Sequence, residues 1–168
     1  MKALRIAELF NERLGRDHNT VLHGGAHEPL YVPAGKGAGA ELCNPAKLYF
    51  TLDYPRSALH EIAHWCLAGC ERRNKIDFGY RYTAPPRSQV QQERFFALEL
   101  RTQALELIFC RAAGLNFSPS ADNLEVDRQV ISAFHLQIER TATCWLDTGV
   151  QGRAQTFLSA LHSATQSG

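Results

Sequence analysis

Between Leu59 and Cys66 the chain reads L-H-E-I-A-H-W-C, and this stretch restricts the possible folds more than any other. Asp53 and Pro55 mark a helix start, Leu59, Ile62, Ala63 and Cys66 recur at helical spacing, and Gly69 marks the stop. The segment is therefore expected to be a helix with one buried stripe. Residues four apart in a helix lie one turn apart on one face, so His60 and His64 aim their rings at a common point where one metal ion binds both. Glu61 sits about 100° round the axis from His60, at the rim of that point. Two imidazoles alone leave an ion under-coordinated, so the rest of the fold must bring further donors there.

The flanking sequence reads as short strands followed by helices. In the first fifteen residues Leu4, Ala7, Phe10 and Leu14 recur at helical spacing among charged residues. This pattern is unlike the uninterrupted apolar stretch of a secretory signal, so the cytoplasm is the expected compartment. Thr20 to His23, Leu30 to Val32, Lys47 to Leu52 and Phe78 to Thr83 are expected as strands, the last because aromatic residues alternate with small or polar ones. "PAGKGAGAELCNP" is expected as a loop; it lacks the G-K-[ST] of a phosphate loop. Helices are expected from Ser88 to Ala113, with Gly114 as the stop, from Leu124 to Trp145 with Asp122 and Asn123 as its cap, and from Gly152 to Ala164. The resulting class is α+β, one domain over residues 1–168, with a small mixed sheet of about four short strands packed against helices and the metal site between two helices.

Composition narrows the partners. No apolar run approaches the ~20 residues of a membrane helix. A net charge of +1 supplies no global field for collecting nucleic-acid phosphates, so neither a membrane nor direct nucleic-acid binding is expected. Cys43, Cys66, Cys70, Cys110 and Cys144 contain no C-x-x-C pair and read as free thiols.

The third metal ligand is not supplied by the longer zincin pattern, whose glycine and third histidine would fall on Leu67 and Cys70. The remaining option is a carboxylate from another helix. Glu99 is best placed, mid-helix between Leu98 and Leu100, where a carboxylate is costly to bury unless paired or ligating. Gln103 lies one turn on and suits a partner for a ligating oxygen, and Glu106 lies two turns on. The alternative is that Glu99 and Glu106 line a solvated strip. Two histidines and one carboxylate serve either zinc, with Glu61 as general base in a peptide or RNA hydrolase, or Fe(II), with open positions for dioxygen and substrate. Spacing does not choose between them.

Four blocks, "EPLYVP" (28–33), "SALHEIAHWCLAG" (57–69), "RRNKIDFGYRY" (72–82) and "QALELIFCRAAGLNFSPSADNLEVD" (103–127), occur in the order seen in the bacterial elongation factor P hydroxylases, which the chain resembles. The resemblance implies a monooxygenase that hydroxylates a β-lysyl-modified lysine of translation elongation factor P. It further implies Fe(II) held by His60, His64 and Glu99, dioxygen as co-substrate, and a fold similar to that of a metal-dependent endoribonuclease. It does not fix 2-oxoglutarate as the source of electrons.

On this reading Glu61 is a carboxylate that either supports the ligands from behind or faces the substrate, where it is able to pair with an ammonium of the modified lysine. Tyr80 and Tyr82 fall on one strand face, suited to a lysyl channel or to core packing. Asp77 either neutralises a cationic substrate or caps a turn. Arg72, Arg73 and Lys75 form a basic run after the metal helix that would steer docking of elongation factor P, an acidic protein.

Overall fold

The computed structural model describes residues 1–36 and 44–166. The middle and end of the glycine-rich loop, residues 37–43 with Cys43, lie outside the described residues. Helix α1 (Ala3–Phe10) runs into a π-turn over Asn11–Gly15, and strands β1 (Thr20–Ala26), β2 (Leu30–Val32) and β3 (Ala46–Thr51) follow. Helices α2 (Pro55–Leu67), α3 (Cys70–Arg73), α4 (Gln89–Ala112), α5 (Arg128–Thr148) and α6 (Gly152–Gln166) complete the described elements. None of these helices is long and apolar enough to cross a membrane.

The sheet has the order β1-β3-β2. β1 runs parallel to β3, with Leu22 opposite Leu48, and β2 runs antiparallel to it, with Tyr31 opposite Leu48. Alternate residues Ala46, Leu48 and Phe50 of β3 face the core. A register shift between His23 and Ala26 ends the β1 pairing. There a Cβ on Gly24 would lie 2.6 Å from the Phe50 ring, so the close approach requires glycine.

Helix α2 begins with Pro55 at its first turn, where a missing N–H costs nothing, and buries Ala58, Leu59, Ile62, Ala63 and Trp65. It packs against α1, β3, α4 and α6. Helix α4 opens with a capping box: Gln91 N–H donates to Ser88 Oγ, and Ser88 N–H donates to Gln91 Oε1. It is enclosed by α2, α5 and α6, and from Thr102 to Cys110 every residue is buried. The two helices are therefore neighbours, and their shared face carries the polar residues described below.

The structure is α+β as expected, with three strands among the described residues rather than about four. The segment expected as a fourth strand over Phe78 to Thr83 is not one. Ile76–Gly79 form a tight 3₁₀ turn in which Asp77 (φ 48°) and Phe78 (φ 56°) are left-handed. The Tyr31 N–H at the sheet edge, which a fourth strand would use, donates instead to Asp77 Oδ1 at 2.9 Å, while Phe78 stacks on the Tyr31 ring at 4.2 Å. Side chains thus terminate the sheet where backbone pairing was expected. The start of α5 also differs: Asp127 caps it by accepting from Gln129 N–H, while Asp122 pairs with Arg87.

Candidate metal centre

His60 and His64 project from α2 toward α4, and their Nε2 atoms lie 3.1 Å apart. Glu99 of α4 closes the group, with Oε1 at 3.3 Å from His64 Nε2 and Oε2 at 3.5 Å from His60 Nε2. One ligand atom from each of the three residues falls within 4.8 Å of the others. Donors each about 2.1 Å from a common ion lie about 3.0 Å apart when their bonds meet at a right angle, and about 3.4 Å apart at the tetrahedral angle. The observed separations, 3.1–3.5 Å with the two histidines facing different Glu99 oxygens, lie within or just beyond that range, so the three side chains gather on a shared ion with small movements.

The atoms behind the ligands hold them in the ligating orientation. His60 Nδ1–H donates to Glu106 Oε2 at 2.8 Å, which leaves Nε2 facing the centre. Arg56, one turn before His60 on α2, donates from Nε and Nη2 to Glu106 Oε1 at 3.2 and 3.0 Å and stacks over Phe117. His64 Nδ1 lies 3.3 Å from Thr102 Oγ1, an arrangement that presents Nε2 to the ion when the proton is on Nδ1. On Glu99, Tyr82 O–H donates to Oε1 at 2.5 Å and Gln103 Nε2 approaches Oε2 at 3.4 Å. Gln103 is itself fixed by two bonds of 2.9 Å to the Ser120 backbone.

Glu61, Glu99 and Glu106 are all buried, with 8%, 2% and 2% exposure, around two imidazoles and one guanidinium. Burial acts to raise the Glu99 carboxyl, but the His64 hydrogen bond, the His60 and His64 charges and the Tyr82 hydroxyl outweigh it and bring it down to about 2. Burial likewise opposes charge on His60, yet the Glu106 bond and the Glu99, Glu106 and Glu61 charges raise it to about 10. Burial drives Glu61 upward against the pull of both histidines. Three buried carboxylates thus face two imidazoles and one guanidinium, a charge balance that suits a cation.

The other residues expected at the site divide into those beside it and those turned away. Glu61 borders the ligand pair and, among the described residues, its carboxylate has no hydrogen-bond partner. Tyr80 covers His64, ring centres 5.4 Å apart, and the Arg72 guanidinium lies 4.5 Å from the centre of the Tyr80 ring. Tyr82 stacks on Tyr80 but spends its hydroxyl on Glu99, so it supports a ligand as well as bordering the site. Asp77 holds the sheet edge through Tyr31, although its charge is still felt at Glu61. Arg73 turns the other way, toward Trp65. The reading of Glu99 and Glu106 as a solvated strip is overturned by their burial. Sequence reasoning did not place Arg56, Thr102 or the Glu106–His60 bond; the only local signal was the one-turn spacing of Arg56 and His60.

The chain matches a protein family described as elongation factor P hydroxylase over residues 9–167. It is also 37% identical over 156 residues to a protein of Haemophilus influenzae (strain ATCC 51907 / DSM 11121 / KW20 / Rd) named elongation factor P lysine hydroxylase, a match covering 93% of this chain and 85% of that protein.

Proposed function

The chain belongs to the elongation factor P hydroxylase family, and on that premise we propose that it hydroxylates elongation factor P on a β-lysyl-modified lysine, with Fe(II) held by His60, His64 and Glu99. The observation that carries the reading is the meeting of two imidazoles and one buried carboxylate between α2 and α4, with no fourth protein ligand among the described residues. Bound iron would supply the activation of dioxygen that attack on an unreactive C–H bond requires, which redox-silent zinc does not.

The chain's own residues supply position and charge. Glu106 and Thr102 hold the two rings so that both Nε2 atoms stay available, and Tyr82 with Gln103 restrains the Glu99 carboxylate. Glu61 meets an ammonium of the modified lysine: a carboxylate with no internal partner beside the ligands is matched by a cationic guest. The faces of Tyr80 and Tyr82 favour the same charge, and Phe78 with Tyr80 shields His64 from water. Asp77 adds negative potential at Glu61. Arg72 and Arg73 guide the acidic protein substrate from the flank, in the cytoplasm, where translation takes place.

Protein loaded without air with either Fe(II) or zinc, then mixed in air with β-lysylated elongation factor P and a two-electron reductant such as ascorbate, which reduces the second oxygen atom to water, tests this by intact mass. The iron form adds one oxygen atom to the substrate and the zinc form adds none. Peptide or RNA cleavage by the zinc form, without oxygen transfer by the iron form, overturns it in favour of a hydrolase.

A further inference from the structure

Among the described residues three buried side-chain nitrogens lack a hydrogen-bond partner, Trp65 Nε1, Arg73 Nε and Arg153 Nε, and all three belong to one cluster. The guanidinium carbons of Arg153 and Arg73 lie 4.7 and 5.8 Å from the Trp65 ring centre, and the His18 ring meets Trp65 edge-on at 5.3 Å. Trp65 is fully buried, whereas both arginines are half-buried and His18 is exposed. The three orphan nitrogens are buried, and solvent reaches only the outer parts of the two arginines and His18.

Part of the cluster has a structural explanation. Arg153 Nη2 donates to the carbonyls of Trp65, Cys66 and Ala68, the free acceptors at the C-terminal end of α2, where a cation is also favoured by the helix dipole. That explanation uses one nitrogen of Arg153 and none of Arg73. Among the described residues neither guanidinium has a carboxylate within ion-pair distance. Of the acidic groups whose charge reaches the cluster, Asp17 acts on His18, and the Cys66 thiol and Tyr31 hydroxyl act on Arg153. Stacking on an indole face offsets part of a guanidinium's charge but leaves its in-plane N–H groups directed away from the ring. Native proteins pair nearly all buried polar groups, so three orphan donors side by side, two of them on like charges, indicate a missing acceptor. Burial, and then the adjacent Arg73 charge, pull the Arg153 guanidinium below its ordinary value, as an unneutralised pair requires.

We propose that Arg73, Arg153, His18 and the Trp65 indole N–H form a binding site for a tetrahedral oxyanion of the phosphate class. Two guanidinia, an imidazole and an indole offer more donors than the two oxygens of a carboxylate can accept, and a dianion neutralises both arginines. The site lies on a different face of α2 from the metal ligands, since Trp65 is about 100° round the helix from His64. It shares Arg73 with the docking role proposed above, but the anion titration needs neither metal nor elongation factor P, so the two readings fail separately.

The test uses the full chain in a Trp145→Phe background, so that emission reports Trp65, titrated with inorganic phosphate and with sulfate against sodium chloride and acetate at equal ionic strength. Both tetrahedral anions are expected to shift the emission saturably and to raise Tm by roughly 3 °C above the chloride control. Arg73→Gln, which removes the orphan Nε and the guanidinium charge, is expected to weaken the apparent affinity at least about tenfold. His18→Gln, at an exposed ring, serves as the second variant if Arg73→Gln does not fold. A response equal to that of chloride, an equal response to acetate, or unchanged affinity in the folded variant overturns the proposal.

Discussion

Glu106 Oε2 sits 2.8 Å from His60 Nδ1, so the nitrogen of His60 that faces away from the ion position is engaged by a carboxylate from the neighbouring helix. Glu106→Gln keeps the size of this side chain but removes the charge that fixes the ring's proton and orientation. Metal affinity is expected to fall about 10- to 100-fold while helix content is retained, as measured by competition with a chromophoric chelator. Unchanged affinity would show that the bond does not organise the ligand.

His60 is held at about 10 in the metal-free protein, so at neutral pH an arriving ion must displace its proton. Titration calorimetry in buffers of different ionisation heat is expected to show about one proton released per ion. The same shifts set the stability of the metal-free chain. A group raised above its unfolded value near 6.5 stabilises fully below that pH, and His60 loses this contribution as pH rises through about 10. Glu99, lowered from 4.5 to about 2, stabilises fully above 4.5 and loses its contribution as pH falls toward 2. With respect to these two groups, Tm of the metal-free protein is expected to be highest between those limits and to decline on both sides.

Tyr82→Phe removes the hydroxyl that donates to Glu99 while keeping the ring against Tyr80 and Phe95. Metal affinity is expected to drop several-fold to about tenfold with little change in Tm, and the visible spectrum of the cobalt-substituted protein is expected to shift as Glu99 is freed. An identical spectrum would mean that Tyr82 only packs.

Glu61→Gln is expected to reduce turnover of modified elongation factor P at least about tenfold and to leave iron content at the wild-type level, because Glu61 borders the ligands without being one. Iron analysis and substrate mass from one preparation separate the two effects. Loss of iron would assign Glu61 to metal binding instead.

What could be read without coordinates follows from which interactions are local. The placing of His60 and His64 on one face rests on helical period alone, and Glu99 stands out because an acid among apolar residues of a helix needs a partner. The role of Glu106 is not encoded in its spacing from Glu99, since it depends on how α4 lies against α2, a property of packing. The alternation in Phe78 to Thr83 suggests a strand, yet Asp77 and Phe78 adopt left-handed backbone because their side chains hold Tyr31. The Trp65 cluster joins α1's trailing turn, α2, α3 and α6, and no single segment announces it.

The most direct measurement compares iron retention and, with dioxygen and a two-electron reductant such as ascorbate added, oxygen transfer in wild type, His60→Ala, His64→Ala and Glu99→Ala after anaerobic loading and desalting. Wild type is expected to keep one iron per chain and add one oxygen atom to modified elongation factor P, and each variant to lose both. A folded Glu99→Ala protein that retains iron and still transfers oxygen would contradict the assignment.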